Sequence, residues 1–164
     1  MKTAIIFSGN IITTELVANM IKNGVNHDVD IFDTSKTFYI DFSEYDNFVL
    51  GTNVRYGKLN KRFVRCVKKM KKYVLPTQNY FVYICGIQFE KAQNYIKKAK
   101  KLINNGCEYY FVGGELKTDG SKGLHKILIQ SIISDYNKKQ KKLPTLIDDN
   151  INKLINSINE ISKE

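Results

Sequence analysis

Cysteine, histidine and proline are scarce in this 164-residue chain, and long apolar runs are missing altogether. The three cysteines, Cys66, Cys85 and Cys107, are odd in number and scattered, with no Cys-x-x-Cys spacing. That argues against a disulfide framework or a local thiolate metal site and fits buried free thiols in a reducing cytoplasm. The two histidines, His27 and His125, are too far apart in sequence to make a local metal motif. No apolar segment approaches the ~20 residues that span a bilayer. The opening Met1-Lys2-Thr3-Ala4-Ile5-Ile6-Phe7 turns polar too soon for a secretory signal. Nothing reads as a repeat or a linker, so one domain over residues 1–164 is expected.

Acid is also in short supply. Sixteen Asp and Glu face 26 Lys and Arg, for a net charge of +10. Such a surface attracts anionic partners: nucleic acid, an anionic membrane or an acidic protein. The lysines gather at 68–72, 97–101 and 138–142, each on or beside a predicted helix whose other face is apolar. Solvated helix faces account for such runs, and nucleic acid is not expected as a partner.

What fills the chain is alternation. Continuous apolar runs predict buried strands at Lys2–Ser8, Asp28–Asp33, Phe48–Thr52, Tyr80–Cys85 and Glu108–Gly113. Between and after them, apolar residues at helical spacing predict helices. Thr14–Asn23 turns Leu16, Val17, Met20 and Ile21 inward, with Gly24 as its stop. Asn60–Val74 buries Phe63, Val64, Val67 and Met70, with Pro76 just beyond. Phe89–Ile103 buries Phe89, Ala92, Ile96 and Ala99 and ends at Asn105-Gly106. Leu124–Tyr136 carries a wide apolar stripe. A last helix follows Pro144, with Leu146, Ile147, Ile151, Leu154, Ile155 and Ile158 in register. Thr34–Tyr45 is weakly patterned and suits a turn of helix. Strands joined by helical crossovers imply a parallel sheet covered on both faces.

Ligands of such sheets bind outside the carboxyl ends of the strands, where strand order reverses. Three loops meet there. The first, Ser8–Thr14, runs from strand to helix. Its hydroxyls at Ser8, Thr13 and Thr14, with free N–H groups at a helix start, suit a phosphate monoester. The same residues also suit an ordinary N-cap with Glu15 favouring the helix dipole. The second, Thr52–Lys58, sets Tyr56 between Arg55 and Gly57. A strand-end aromatic can stack on a flat heterocycle, and Gly57 permits close backbone approach; a surface tyrosine in a turn is the plainer account. The third, Gly86–Gln88, supplies small residues and backbone donors.

Three segments carry a family likeness in order: KTAIIFS (2–8), YDNFVLGTNVRYGKLNKRFVRCVKK (45–69) and YYFVGGELK (109–117). On these the chain resembles the flavodoxin superfamily over nearly its whole length. Within it, the branch of menaquinone-dependent protoporphyrinogen oxidase (dehydrogenase) and related flavodoxin-domain proteins is the most similar. The block Gly51-x-x-x-Arg55-Tyr56-Gly57 is its most specific piece. The resemblance implies an α/β, flavodoxin-like three-layer sandwich whose five-stranded parallel sheet has order 2-1-3-4-5. It implies FMN as cofactor, in electron transfer or flavin-dependent oxidation. Ser8, Asn10, Ile12, Thr13 and Thr14 would surround the phosphate. Thr52, Asn53, Val54, Arg55, Tyr56 and Gly57 would flank the isoalloxazine, with Tyr56 stacking, and Gly86, Ile87 and Gln88 would cover its other side or edge. No side chain is assigned acid–base work. The family's phosphate loop carries glycine where this chain has Ile12, so a flavodoxin-fold module that has lost FMN and serves binding or regulation is the alternative. Residues 117–142 fall where this branch carries an insertion. The implied partners are a redox protein or a quinone, with weak association to an anionic membrane surface through the apolar, lysine-flanked segment Gly123–Tyr136.

Overall fold

The computed structural model describes residues 1–8, 12–37, 39–71, 78–103, 106–116 and 123–161. Six strands are present among these residues: β1 (Lys2–Phe7), β2 (Asp28–Asp33), β3 (Asn47–Arg55), β4 (Lys58–Leu59), β5 (Asn79–Cys85) and β6 (Glu108–Gly113). The five helices are α1 (Ile12–Gly24), α2 (Lys61–Met70), α3 (Ala92–Lys100), α4 (Gly123–Lys138) and α5 (Asp148–Ile161). The five long strands pair in parallel, in the order β2-β1-β3-β5-β6. This is the expected order, with the two-residue β4 added as an antiparallel partner of β3.

Both sheet faces are covered, which is why the strands read as unbroken apolar runs. On one face Ile5, Phe7, Val49, Phe81 and Tyr83 pack against Val17, Ala18 and Ile21 of α1 and Ile151, Leu154 and Ile158 of α5. On the other, Ala4, Ile6, Phe48, Leu50, Val82 and Ile84 pack against Phe63, Val67 and Met70 of α2 and Tyr95 and Ala99 of α3. α2 and α3 pack on this same face of the sheet.

Several boundaries differ from expectation, each for a local reason. In α1, Val17 and Ile21 are buried as expected, but Ala18 is buried while Leu16 is 37% exposed, so the inward stripe is rotated towards Ala18. Gly24 closes α1 by close packing: an added Cβ would lie 2.8 Å from Ile155 Cδ1 on α5. α2 starts at Lys61 because Asn60 caps it, its side chain accepting from Arg62 N at 2.8 Å; its expected end, Val74 and Pro76, lies outside the described residues. Phe89–Lys91 forms a separate 3₁₀ turn before α3, and Asn105 also lies outside. Within Thr34–Tyr45, Asp41 caps a 3₁₀ turn at Phe42–Glu44. Leu146 and Ile147 precede α5 instead of opening it. They run extended against β6, with Ile147 N donating to Val112 O at 3.0 Å and Leu146 bridged to Gly113.

The chain therefore leaves the sheet at Gly114 and returns beside it at Thr145, where Gly114 N donates to Thr145 O at 3.2 Å. α4 lies in this excursion. It buries Ile129, half-buries Ile132, Ile133 and Tyr136, and exposes Leu124, Ile127 and Leu128. Residues 117–122 of the excursion lie outside the described residues. No helix among the described residues is long and apolar enough to cross a membrane.

Candidate functional site

Strand register brings Phe7, Asp33, Gly51, Cys85 and Gly113 to one edge of the sheet. Strand order reverses there between β1 and β3, the position at which open α/β sheets bind ligands. Ser8 follows β1 directly, and its N–H donates to Gly51 O at 3.3 Å. Thr13 and Thr14 sit in the first turn of α1. All three hydroxyl residues are buried, at 1%, 3% and 0% exposure.

Ser8 Oγ and Thr14 Oγ1 find no hydrogen-bond partner among the described residues, and neither does Thr34 Oγ1 just beyond β2. A buried hydroxyl left unpaired costs on the order of 1–3 kcal/mol, and folded proteins rarely leave one so. The amino ends of the strands show the opposite. There Asn47 Nδ2 donates to Thr3 Oγ1, Asn79 Nδ2 donates to Asn47 Oδ1, and Thr3 Oγ1 bonds His27 Nε2 at 2.7 Å. An open concavity of about 440 Å³ lies at that end, between Asp46, Gln78 and Ile161, but its buried polar groups are already paired. Unmet hydrogen-bonding capacity gathers at the carboxyl edge, at a strand-to-helix junction. A phosphate monoester, with three acceptor oxygens, fits hydroxyl donors placed there.

The second segment is not the loop that the sequence suggests. β3 runs through Thr52, Asn53, Val54 and Arg55, and only Tyr56 and Gly57 form the turn of a β3–β4 hairpin. Tyr56 has φ +49° and Gly57 φ +71°, the pair of left-handed residues that a type I′ turn requires. Nothing lies within 4 Å of an added Cβ at Gly57, so this glycine serves the turn and not a close approach. Thr52 and Asn53 are buried, and Asn53 is spent on structure: its Oδ1 accepts from Asn60 Nδ2 at 3.0 Å, which steadies the start of α2. Val54 is half-buried. Tyr56 is 73% exposed at the tip, with the Arg55 guanidinium 5.5 Å from its ring centroid. Lys98 Nζ donates to Gly57 O at 2.7 Å and fixes the hairpin to α3.

The third loop is held firmly. Gly86 N donates to Gly113 O at 2.9 Å, and a Cβ at Gly114 would lie 3.1 Å from the Gly86 backbone. Ile87 and Gln88 are half-buried at the rim, and Tyr95 Oη donates to Gln88 Oε1 at 2.6 Å. Ile12 is the first residue of α1 and is 48% exposed, so it stands in helical backbone that needs no left-handed residue. Asn10 lies outside the described residues.

One site-building residue escaped the sequence reading. Tyr83, on β5, lies across Gly51, and its hydroxyl donates to Thr14 O at 2.9 Å inside the core. Burial holds the phenol well above its ordinary range, so it stays a neutral donor. This bond fixes the first turn of α1 relative to β3 and β5. The available signal was a lone glycine inside an apolar strand, which marks a close approach. Cys85 is buried beside this junction; burial pushes its thiol up to about 12, a weak contact with the Thr14 hydroxyl opposing it, so it supplies no nucleophile near neutral pH. Among the described residues, no group of three His, Cys, Asp or Glu side chains is placed to hold a metal ion.

No curated protein matches the sequence. Solved structures do match: flavodoxin 1 from Bacillus cereus, at 16% identity and TM-score 0.58, covers 100% of this chain and 99% of its own. The flavodoxin of Fusobacterium nucleatum bound to flavin mononucleotide matches at 14% identity and TM-score 0.53, over 86% of this chain and 99% of that one. A Lactobacillus acidophilus NCFM flavoprotein in complex with FMN matches at 16% identity and TM-score 0.52, over 69% and 91%. At such identities these likenesses establish the fold alone. The family model described as "Flavodoxin domain" matches residues 4–143, most of the length, and with the β2-β1-β3-β5-β6 sheet beneath it the chain belongs to the flavodoxin domain family.

Proposed function

We propose that this protein binds FMN at the carboxyl edge of its sheet and uses it for electron transfer or flavin-dependent oxidation. The observation that carries this reading is the pair of buried, unpartnered hydroxyls, Ser8 Oγ and Thr14 Oγ1, at the β1–α1 junction. The FMN named in the Fusobacterium and Lactobacillus structures supports it.

FMN, when bound, supplies one- and two-electron chemistry at its ring system. The chain supplies position and surroundings. Ser8, Thr13 and Thr14 hold the phosphate, with the helix N-terminus of α1 adding its partial positive charge. Tyr56 flanks the ring from the hairpin tip, and Ile87 and Gln88 border its other edge. Thr52, Asn53 and Val54 act beneath the ring by keeping the hairpin in place. Within this reading, oxidation of a protoporphyrinogen-like substrate with a quinone or redox-protein acceptor is the finer assignment, carried by the Arg55-Tyr56-Gly57 block. Titrating purified protein with FMN and following flavin fluorescence tests the core of it. Saturable quenching is expected; its absence would favour a flavodoxin-fold binding or regulatory module.

Tyr56→Ala should weaken FMN binding by roughly 1–3 kcal/mol, the scale for loss of an aromatic stacking partner. The tyrosine is mostly exposed at the hairpin tip, so the free protein should keep its stability, and Tyr56→Phe should keep its affinity. Unchanged affinity in Tyr56→Ala, read by the same titration, removes Tyr56 from the site.

The exposed trio Leu124, Ile127 and Leu128 on α4, with Lys126 beside it, motivates the membrane expectation. Apolar side chains among cations favour an anionic interface, each Lys near it contributing on the order of 1 kcal/mol. Weak, salt-sensitive sedimentation with phosphatidylglycerol vesicles is the expected outcome, reduced by Ile127→Glu. Protein that stays in the supernatant at low salt excludes this role for α4.

A further inference from the structure

The charge of this protein is divided by its sheet. α2, α3 and their flanking turns, residues 61–71 and 90–101, carry eleven cations, six in the first span and five in the second, against the single carboxylate of Glu90. The residues on the outer faces, among them Lys61, Arg65, Lys68, Lys69, Lys97 and Lys101, are all exposed. They cannot turn inward, because Phe63, Val67, Met70, Tyr95 and Ala99 occupy the faces that meet the sheet. No ion pair among the described residues neutralises a lysine of α2 or α3. The opposite layer reverses the sign: α1 and α5 carry Glu15, Asp148, Asp149 and Glu160 against Lys22 and Lys153.

We propose that the α2/α3 face is a docking surface for an acidic protein that exchanges electrons with the site above it. Two observations select this occupant. First, the face abuts the rim of the candidate site: the β3–β4 hairpin, with Arg55, Tyr56 and Lys58, is tied to α3 by the Lys98–Gly57 bond. A partner held by the lysines therefore lies against the hairpin tip. Second, the face has charge without insertion. None of the large exposed apolar side chains belongs to α2 or α3; the exposed rings of Tyr56 and Phe89 lie at the rim beside the site, so the helical face itself meets a partner through charge. A one-signed patch on a two-helix layer steers and orients an oppositely charged surface, chiefly through the association rate, and the effect weakens as salt screens the charges.

The electron-exchange half of the proposal rests on FMN binding, while the docking half does not, so the two are tested apart. A fluorescently labelled acidic plant-type ferredoxin serves as the probe for docking. Its anisotropy is titrated with flavin-free protein at 20 mM and 200 mM salt. Association at low salt, weakened at least tenfold at high salt, is expected. Lys68→Glu combined with Lys69→Glu, Lys97→Glu and Lys101→Glu should abolish it. Lys22→Glu with Lys153→Glu, on the far layer, makes a smaller charge change and should leave it within twofold. Circular dichroism checks that each variant is folded, and a two-site reversal, Lys69→Glu with Lys97→Glu, replaces the four-site one if that does not fold. With FMN added, the same reversals should slow electron transfer from pre-reduced ferredoxin, which is oxidised as the flavin is reduced, at low salt without altering FMN affinity. No association at low salt, or equal losses from both layers, overturns the proposal. So does finding that anionic vesicles or single-stranded DNA bind this face more tightly and lose binding with the same lysines.

Discussion

Gly51→Ala should lower the stability of this fold by about 3 kcal/mol or more, the upper end of what overpacking a close-fitted interior costs. Gly51 lies in β3 between Phe7 of β1 and Tyr83 of β5. A Cβ there would lie 2.2 Å from both Cζ and Oη of Tyr83. The ring has no retreat, because Tyr83 is fully buried and its hydroxyl is bonded to Thr14 O. Admitting the methyl means breaking that bond, which adds about 1 kcal/mol, or shifting α1 from the sheet. Urea denaturation reads the result as a lower midpoint at unchanged slope. The cause is isolated by a cycle with Tyr83→Leu, in which the cost of Gly51→Ala should largely vanish, since residues in contact are not additive. A Gly51→Ala cost below 0.5 kcal/mol, the usual scale for changes away from such contacts, or strict additivity in the cycle, would show that Tyr83 yields freely. The functional consequence follows from the same bond: displacing Thr14 should also weaken FMN binding.

The layer order of this molecule was legible because burial on both faces leaves a plain mark. Five apolar runs separated by helical patterns admit few arrangements, and the parallel sheet with helices on both faces follows from them. What escaped was decided by tertiary contact or by backbone sign. The apolar run of β3 stops at Gly51, yet the strand continues to Arg55 because Val54 and Leu59 pair across a hairpin. Tyr56-Gly57 is not among the dipeptides that announce a type I′ turn, since tyrosine seldom takes positive φ. Gly24 reads as a left-handed helix stop, whereas what lies against it is Ile155, distant in sequence, whose side chain fills the space a Cβ would take. Leu146 and Ile147 keep helical spacing with Ile151 and Leu154, but the edge of β6 recruits their backbone before the helix begins. The carboxyl edge of the sheet follows from topology, but the segment read as the second loop is mostly strand, and Thr13 and Thr14 lie inside α1. Which of these residues are committed to structure, as Asn53 is to Asn60, follows only from geometry.

Ser8→Ala together with Thr14→Val should separate stability from binding, moving them in opposite directions. In the free protein both hydroxyls are buried without partners among the described residues. Replacing them with apolar groups of similar shape removes a desolvation cost and disturbs only the weak contact between Thr14 and the Cys85 thiol. The flavin-free variant should therefore be as stable as the parent or more so, by up to about 1–2 kcal/mol. A bound phosphate reverses the sign. Each hydroxyl then donates to a charged oxygen, an interaction worth about 1.5–3 kcal/mol. Loss of both should raise the FMN dissociation constant by roughly a hundredfold to ten-thousandfold, with each factor of ten corresponding to 1.4 kcal/mol. Riboflavin, which has the ring and no phosphate, should bind parent and variant alike. These three readouts separate a phosphate site from a structural one. If the hydroxyls serve only the fold, the variant loses stability and binds FMN as the parent does. If they serve the ring and not the phosphate, riboflavin affinity falls in step with FMN affinity. Only donors aimed at a phosphate give a stable protein that keeps riboflavin and loses FMN.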